Sequence, residues 1–193
     1  MIEINKIKKW KCQKKYWQNR FLNIYYNQTK AKEIKHKYTK GGYMKVYVSS
    51  DADGLNLKNA LLEELDKLGY DYEDLTQEGF DLVDSSDAVC KKLLEVDGML
   101  TSGSDDQSVG VVIDKYGAGS YMACSKHKGM IAAEVSEERS ALMTKRHNGA
   151  RILVMGSAIV GEELAKSCLR SFLSHGYDGG RHQIRIDMLN KML

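Results

Sequence analysis

The segment VIDKYGAGSYM (residues 112–122) has the composition of a loop that could hold an anion. An apolar run at 110–113 leads into the small residues 117–119, which would let backbone amides close around a phosphate or an oxyanion. Asp114 and Tyr116 follow the strand, with no Cys, Ser or Thr at its end. The spacing matches neither GxGxxG nor GK[ST]. Two interpretations stay open: an anion-binding loop, or a tight turn after a buried strand.

A candidate proton donor lies in RHNGAR (146–151). His147 falls near the C-terminal end of a predicted helix, where the helix dipole favours a positive charge and hence proton donation. The alternative is an ordinary surface histidine.

Two arginines in GGRHQIR (179–185) could bind phosphate. Arg181 and Arg185 are four residues apart and share one face if the segment is helical, and two converging guanidinium groups suit a phosphate dianion. The alternative is a solvated basic turn. The acidic character of the surrounding chain disfavours a general nucleic-acid surface.

The elements that would position these residues alternate between strand and helix from Met44 onward. Strands are predicted at 44–50, 70–76, 110–113, 130–135 and 151–156. Helices are predicted over about 54–68, 83–94, 120–125, 136–147 and 160–173, with Asp53 as the first N-cap and Gly176 closing the last, before a short C-terminal helix. This order predicts an α/β fold: a single Rossmann-like three-layer domain with a five-stranded parallel sheet flanked by helices. Ligands then bind beyond the carboxyl ends of the strands, at loops 50–54, 114–120, 136–140 and 157–160.

The composition excludes several classes of protein. No apolar run approaches the 18 residues that a membrane-spanning helix needs. The four cysteines form no CxxC pair, which argues against a zinc site or a disulfide framework and favours a reducing cytoplasm. They are Cys12, Cys90, Cys124 and Cys168.

Residues 1–43 differ in charge from the rest of the chain. They carry 12 Lys and Arg against two acidic residues, whereas residues 44–193 carry 17 against 24. A basic, aromatic arm could bind nucleic acid or an acidic membrane surface, and the lack of a continuous apolar run disfavours a secretory signal. However, Lys, Asn, Ile and Tyr make up 25 of these 43 residues, the types that AT-rich codons encode. We therefore expect residues 1–43 to be a disordered, non-native upstream translation, with Met44 as the true initiator of the functional domain at 44–193.

Four segments carry a family resemblance: DKYGAGSYM, KGMIAAEVSEERSALMTKRHN, MGSAIVGEELAK and YDGGRHQIRIDMLNKM. Through them, residues 44–193 resemble the ribose-5-phosphate isomerase B family, and within it the A subunits of galactose-6-phosphate isomerase. The resemblance implies a cytoplasmic aldose–ketose isomerase of lactose and galactose catabolism that needs no cofactor or metal. Galactose 6-phosphate would be ring-opened, and a proton would move between C2 and C1 through an enediol to give tagatose 6-phosphate.

The resemblance also implies roles for individual residues. His147 matches the family's ring-opening histidine and Asn148 its sugar-binding asparagine. Arg181 and Arg185 match the arginines that bind phosphate. Asp51 matches a substrate-binding aspartate in the loop after the first strand.

This chain departs from the family's pattern at three positions. Asp114 replaces the Cys that acts as base, Tyr116 replaces a Thr, and Ala52 replaces a His. The resemblance therefore implies a galactose-6-phosphate isomerase B subunit that supplies the Cys across an interface, in a complex of two A and two B chains. The remaining interpretations are a self-sufficient sugar-phosphate isomerase with Asp114 as base and a non-catalytic sugar-phosphate-binding subunit.

Overall fold

A computed structural model of the chain describes residues 44–98 and 107–192, which form a five-stranded, all-parallel sheet. The strands are β1 (Val46–Ser50), β2 (Tyr72–Asp74), β3 (Val109–Asp114), β4 (Ala132–Glu134) and β5 (Ile152–Gly156). Their spatial order is β2-β1-β3-β5-β4. The predicted five-stranded parallel sheet is therefore confirmed.

Helices cover both faces of this sheet. The described ranges contain α1 (Leu55–Leu68), α2 (Leu82–Asp97), α3 (Ala118–Cys124), α4 (Glu138–Asn148), α5 (Glu162–Leu173), a 3-10 turn (Gly180–His182) and α6 (Gln183–Asn190). Helices α2 and α3 contact each other on one face, while α5 contacts both α1 and α4 on the other. Right-handed crossovers in this strand order require that division, which gives the predicted three layers.

The central strands are buried along their whole length because helices cover both of their faces. Every residue of β1, β3 and β5 is buried, whereas the edge strands β2 and β4 are half-buried or exposed. Gly110 lets α2 approach β3 closely, since a Cβ at this position would lie 2.4 Å from Cγ1 of Val89. Unbroken apolar strands of this kind are typical of parallel sheets.

Several predicted boundaries are wrong. Gly54, not Asp53, is the N-cap of α1, because the Gly54 carbonyl accepts the first hydrogen bond of the helix, from the Lys58 amide at 2.9 Å. Strand β2 has three residues instead of seven, since only Val46 to Val48 of β1 pair with it. Helix α5 ends at Leu173 with Ser174 as its C-cap, so Gly176 does not close it.

Two expectations concern features outside this sheet. Residues 1–43 lie outside the described residues, so the interpretations of them stay predictions. Within the described part of the chain, no helix combines the length and apolar character needed to cross a membrane.

Candidate active site

The Asp114 carboxylate lies inside the loop at 114–120, for which the sequence left open a role in anion binding. Its Oδ1 accepts hydrogen bonds from the backbone amides of Tyr116, at 2.9 Å, and of Gly117. Its Oδ2 accepts a third from the amide of Ser120 at 2.9 Å. The residue is only 3% exposed. The loop therefore does arrange amides around an anion, as one interpretation expected, but this anion is the chain's own side chain.

Close packing against the next loop fixes this arrangement. Gly156 ends β5 directly beside Tyr116, where a Cβ would lie 2.4 Å from the Tyr116 carbonyl carbon. The amide of Ser157 donates to the Asp114 carbonyl at 2.8 Å, and that of Ala158 to the Lys115 carbonyl at 2.9 Å. Gly117 has a positive φ of 83°, which a residue with a side chain adopts only with strain. The backbone after β3 is thus held on one side by the Asp114 side chain and on the other by the loop after β5.

Asp51 lies at the same end of the sheet as Asp114. Burial raises its pKa and the nearby negative charge of Asp114 adds to this, while the hydrogen bond from Gly54 opposes the rise. The adjacent Asp53 is exposed and forms a 3.8 Å ion pair with Lys115. Tyr116, which the sequence analysis matched to the family's Thr, is 59% exposed.

The expected proton donor His147 lies in the last turn of α4, as predicted, among partners that the sequence did not reveal. Its imidazole stacks on that of His182, with 4.3 Å between ring centroids and 8° between ring planes. Its Nε2 lies 3.8 Å from Oδ2 of Asp178. Asp178 in turn accepts from Arg146, at 3.1 Å for Nε–Oδ1 and 2.9 Å for Nη2–Oδ2. His182 lies within the quoted GGRHQIR segment, but nothing in the local sequence indicates the stack.

The two candidate phosphate-binding arginines lie beside this histidine pair. Arg181 is in the 3-10 turn that contains His182, and Arg185 follows one turn later in α6. Both side chains are exposed, and no carboxylate in the described ranges forms an ion pair with either. Asn148 is the exposed last residue of α4. These four candidate residues therefore form one group with unpaired positive charge.

The candidate residues form two groups at opposite ends of the sheet. Asp51 and Asp114 lie at the carboxyl ends of β1 and β3. His147 ends α4, the crossover helix that returns the chain to the start of β5, so it lies at the amino end. A five-residue strand spans about 16 Å, which sets the scale of this separation. The structure thus brings His147, Asn148, Arg181 and Arg185 together and keeps Asp51, Asp114 and Tyr116 apart from them.

Known proteins with a similar sequence identify the family to which the chain belongs. Residues 46–189 match the model of the ribose/galactose isomerase family. The chain belongs to this family. The family resemblance predicted from the sequence is thereby confirmed.

Two relatives within the family come from Streptococcus pneumoniae and bear the name galactose-6-phosphate isomerase subunit LacA. The protein of strain ATCC 700669 / Spain 23F-1 is 48% identical over 149 residues, covering 77% of this chain and 99% of the relative. The protein of strain Hungary19A-6 is 47% identical with the same coverage.

Solved structures in the family share the fold. Ribose-5-phosphate isomerase B from Mycoplasma genitalium with bound ribulose-5-phosphate has a TM-score of 0.69 at 29% identity, covering 77% of this chain and 95% of that one. Ribose-5-phosphate isomerase B from Clostridium thermocellum also has a TM-score of 0.69, at 30% identity, covering 77% and 97%.

No group of three or more His, Cys, Asp or Glu side chains suited to a metal ion occurs among residues 44–98 and 107–192. The predicted site residues offer amide, imidazole, carboxylate and guanidinium groups. Such groups suit proton transfer and the binding of a phosphate sugar.

Proposed function

We propose that this chain is the A subunit of a heteromeric galactose-6-phosphate isomerase, which interconverts galactose 6-phosphate and tagatose 6-phosphate. Family membership supports the isomerase chemistry. Identity of 48% to a protein named galactose-6-phosphate isomerase subunit LacA, along 99% of its length, supports this substrate and the existence of a second kind of subunit.

The separation of the two groups of candidate residues is the observation that carries the proposal of an active site shared between two chains. His147 and the two arginines lie at the amino end of the sheet, while the loop after β3 lies at the carboxyl end. One chain cannot bring them to the same sugar. A complete site therefore combines the amino end of this chain with a loop from another chain, which the B subunit supplies together with its Cys.

In the proposed mechanism, this chain opens and holds the sugar while its partner moves the proton on carbon. His147 donates a proton to the ring oxygen as the C1–O5 bond breaks, the C1 hydroxyl gives up its proton to solvent to form the aldehyde, and Asn148 hydrogen-bonds the sugar hydroxyls. The partner's thiolate takes the proton from C2 and returns it to C1 while a proton moves from O2 to O1 through the enediol, so the aldose becomes the ketose without net gain or loss of protons. Arg181 and Arg185 hold the phosphate dianion, and no cofactor is needed.

The contacts of Asp114 argue against the interpretation in which it acts as the base. All three amide donors of the loop point at its two oxygens, and the side chain is buried. A buried carboxylate whose two oxygens already accept these amide hydrogen bonds is not directed at a substrate. We therefore assign Asp114 to the structure of the loop, and Asp51 remains a predicted substrate-binding residue at that same end of the sheet.

The test is an isomerase assay on galactose 6-phosphate with this chain alone, with a purified B subunit alone, and with both. We expect turnover only in the mixture, from a complex of two A and two B chains whose mass native mass spectrometry would report. Turnover by this chain alone would restore Asp114 as a candidate base. Substrate binding without turnover in the mixture would instead identify a non-catalytic binding subunit.

A further inference from the structure

The imidazole rings of His147 and His182 are stacked and nearly parallel. The ring centroids are 4.3 Å apart and the planes are within 8° of parallel. The two residues come from different elements, the end of α4 and the 3-10 turn before α6. The stack therefore fixes the plane of the His147 ring from outside its own helix.

The segment just before His182 is itself anchored to α4. The amide of Asp178 donates to the Arg146 carbonyl at 2.8 Å, and its carboxylate accepts from the Arg146 guanidinium. The ring of Tyr177 lies against Gly149, whose positive φ of 60° ends α4. Because the chain is held at Tyr177 and Asp178, the turn that contains His182 lies beside the end of α4.

The charges around His182 disfavour its protonated form. Partial loss of solvent contact lowers its pKa, and three positive groups lower it further against the opposing effect of Asp178. The three groups are His147, Arg181 and Arg185. The remaining charged group of the cluster, Arg146, is paired with Asp178. A neutral, flat ring can lie against an imidazolium, because the face of a π system attracts a cation.

We propose that His182 is a positioning residue for His147: its ring fixes the plane of the His147 imidazole, the group that donates a proton to the sugar ring oxygen in the proposed mechanism. This inference rests on the proposed function. It gives His182 a role in the rate of ring opening and not in the binding of the phosphate.

Two substitutions of His182 separate the effect of ring stacking from the effect of its titrating nitrogens. His182→Phe keeps a flat ring and removes the titrating nitrogens, whereas His182→Leu removes both the flat ring and the nitrogens. In the reconstituted complex with the B subunit, we expect His182→Leu to lower kcat about 10- to 100-fold, because a misplaced catalytic group costs a factor of this order. We expect His182→Phe to retain kcat within about threefold of the unsubstituted chain. KM should change little in either variant.

His127→Leu is the matched control. This histidine is half-buried in the turn after α3, 3.5 Å from Asp87 and outside both groups of candidate residues. Its loss should leave kcat and KM unchanged. Equal losses of kcat in the Phe and Leu variants, or a rise in KM with kcat preserved, would overturn the positioning role.

An NMR measurement on the full chain without its partner tests the stack independently of catalysis. The ring protons of His147, assigned with a His147→Gln variant, should be shifted upfield by the adjacent ring. His182→Phe should retain this shift and His182→Leu should abolish it. If the mixture of subunits shows no turnover, the proposed function fails while the NMR result still decides the stack. An unshifted His147 signal in the unsubstituted chain would contradict the inference itself.

Discussion

At the scale of single residues, Asp114 explains why this chain carries a phosphate-type loop without a reactive group. Its two oxygens accept from the amides of Tyr116, Gly117 and Ser120. Buried amides without an acceptor are costly, so a loop with this backbone needs an anion of some kind. Here the anion belongs to the chain, and the loop serves its own folding.

Asp114→Asn should therefore lower the stability of the chain and leave its activity nearly unchanged. The amide nitrogen of Asn is a donor and would face one of the donating backbone amides, which predicts a loss of about 1–3 kcal/mol in the free energy of unfolding. Urea unfolding of the chain measures this. Asp53→Asn is the control, since Asp53 is exposed and its ion pair with Lys115 spans 3.8 Å.

The same variant also tests the assignment of Asp114 to structure. The activity of folded Asp114→Asn complexes with the B subunit should stay within about twofold of the original, because removing a group outside the reacting site leaves transition-state binding intact. A large loss of kcat in folded complexes would show that Asp114 takes part in the chemistry.

His175 predicts how the stability of the domain responds to acid. It is partly buried, and its Nδ1 lies 3.0 Å from the Ser171 carbonyl and 3.0 Å from Ser174 Oγ. Burial lowers its pKa below the ordinary value of 6.5. The unfolded chain then binds a proton before the folded one, so this group makes stability fall as the pH drops below about 6.5.

His175→Asn keeps a side-chain N–H for the Ser171 carbonyl but does not titrate. Urea midpoints measured from pH 7.5 to 5 should therefore fall less steeply for this variant than for the original chain. Parallel pH profiles would mean that His175 takes up its proton equally well in both states.

At the scale of elements, the C-terminal segment works only if it stays attached to α4. The paired hydrogen bonds between Arg146 and Asp178 make that attachment, and they hold the turn from which Arg181 and Arg185 project. Loss of this contact would leave the arginines present but poorly placed.

Asp178→Asn should weaken substrate binding more than it slows turnover. The pair is about one-third exposed on each side, so its loss should cost no more than about 1 kcal/mol, or about a fivefold rise in KM for galactose 6-phosphate. Backbone amides of 177–186 should exchange hydrogen faster in the same variant. The control is Asp187→Asn, on the exposed side of α6, which should leave KM unchanged. Unaltered exchange in Asp178→Asn would mean that other contacts hold the segment.

The sequence predicts the helices and strands better than the residues at which they begin and end. Fully apolar strands separated by helical periodicity indicate a parallel sheet directly, because only such a sheet buries every residue of β1, β3 and β5. The prediction of Asp53 as the N-cap of α1 is wrong, because the helix begins after Gly54, which caps it without a side chain, and a residue without a capping side chain gives no such signal in the sequence. The amide contacts of Asp114 and the stack of His147 on His182 depend on tertiary structure, which local spacing does not contain.

At the scale of the whole molecule, the two groups of candidate residues lie at opposite ends of the sheet, so each proposed active site takes its residues from two chains. The amino end of the sheet carries a histidine and two arginines without a carboxylate partner among the described residues, and the carboxyl end carries a loop in which the amides of Tyr116, Gly117 and Ser120 already donate to Asp114. A sugar phosphate should therefore be attracted to the first end.

Arg185→Ala tests this division in the reconstituted complex. Losing a charge-assisted bond to the phosphate should cost about 1.5–3 kcal/mol of transition-state binding, or about 10- to 150-fold in kcat/KM. Lys191→Ala removes an exposed positive charge just after α6 and serves as the control. A loss below about threefold in Arg185→Ala would place the phosphate elsewhere.

The hypothesis that translation starts at Met44 also concerns the whole molecule. Intact mass measured on the protein from its natural host should correspond to residues 44–193. A mass that includes residues 1–43, with their 12 basic side chains, would refute the hypothesis. In that case, binding of nucleic acid or acidic vesicles at varied salt would become the next measurement.

The three amides that donate to Asp114 also constrain which residues can replace it. A thiol at residue 114 would supply a candidate base but would remove the acceptors on which the turn depends, so this substitution lowers stability before any chemistry is gained. In the proposed complex, the folding of this loop therefore makes the chain dependent on its partner for the base.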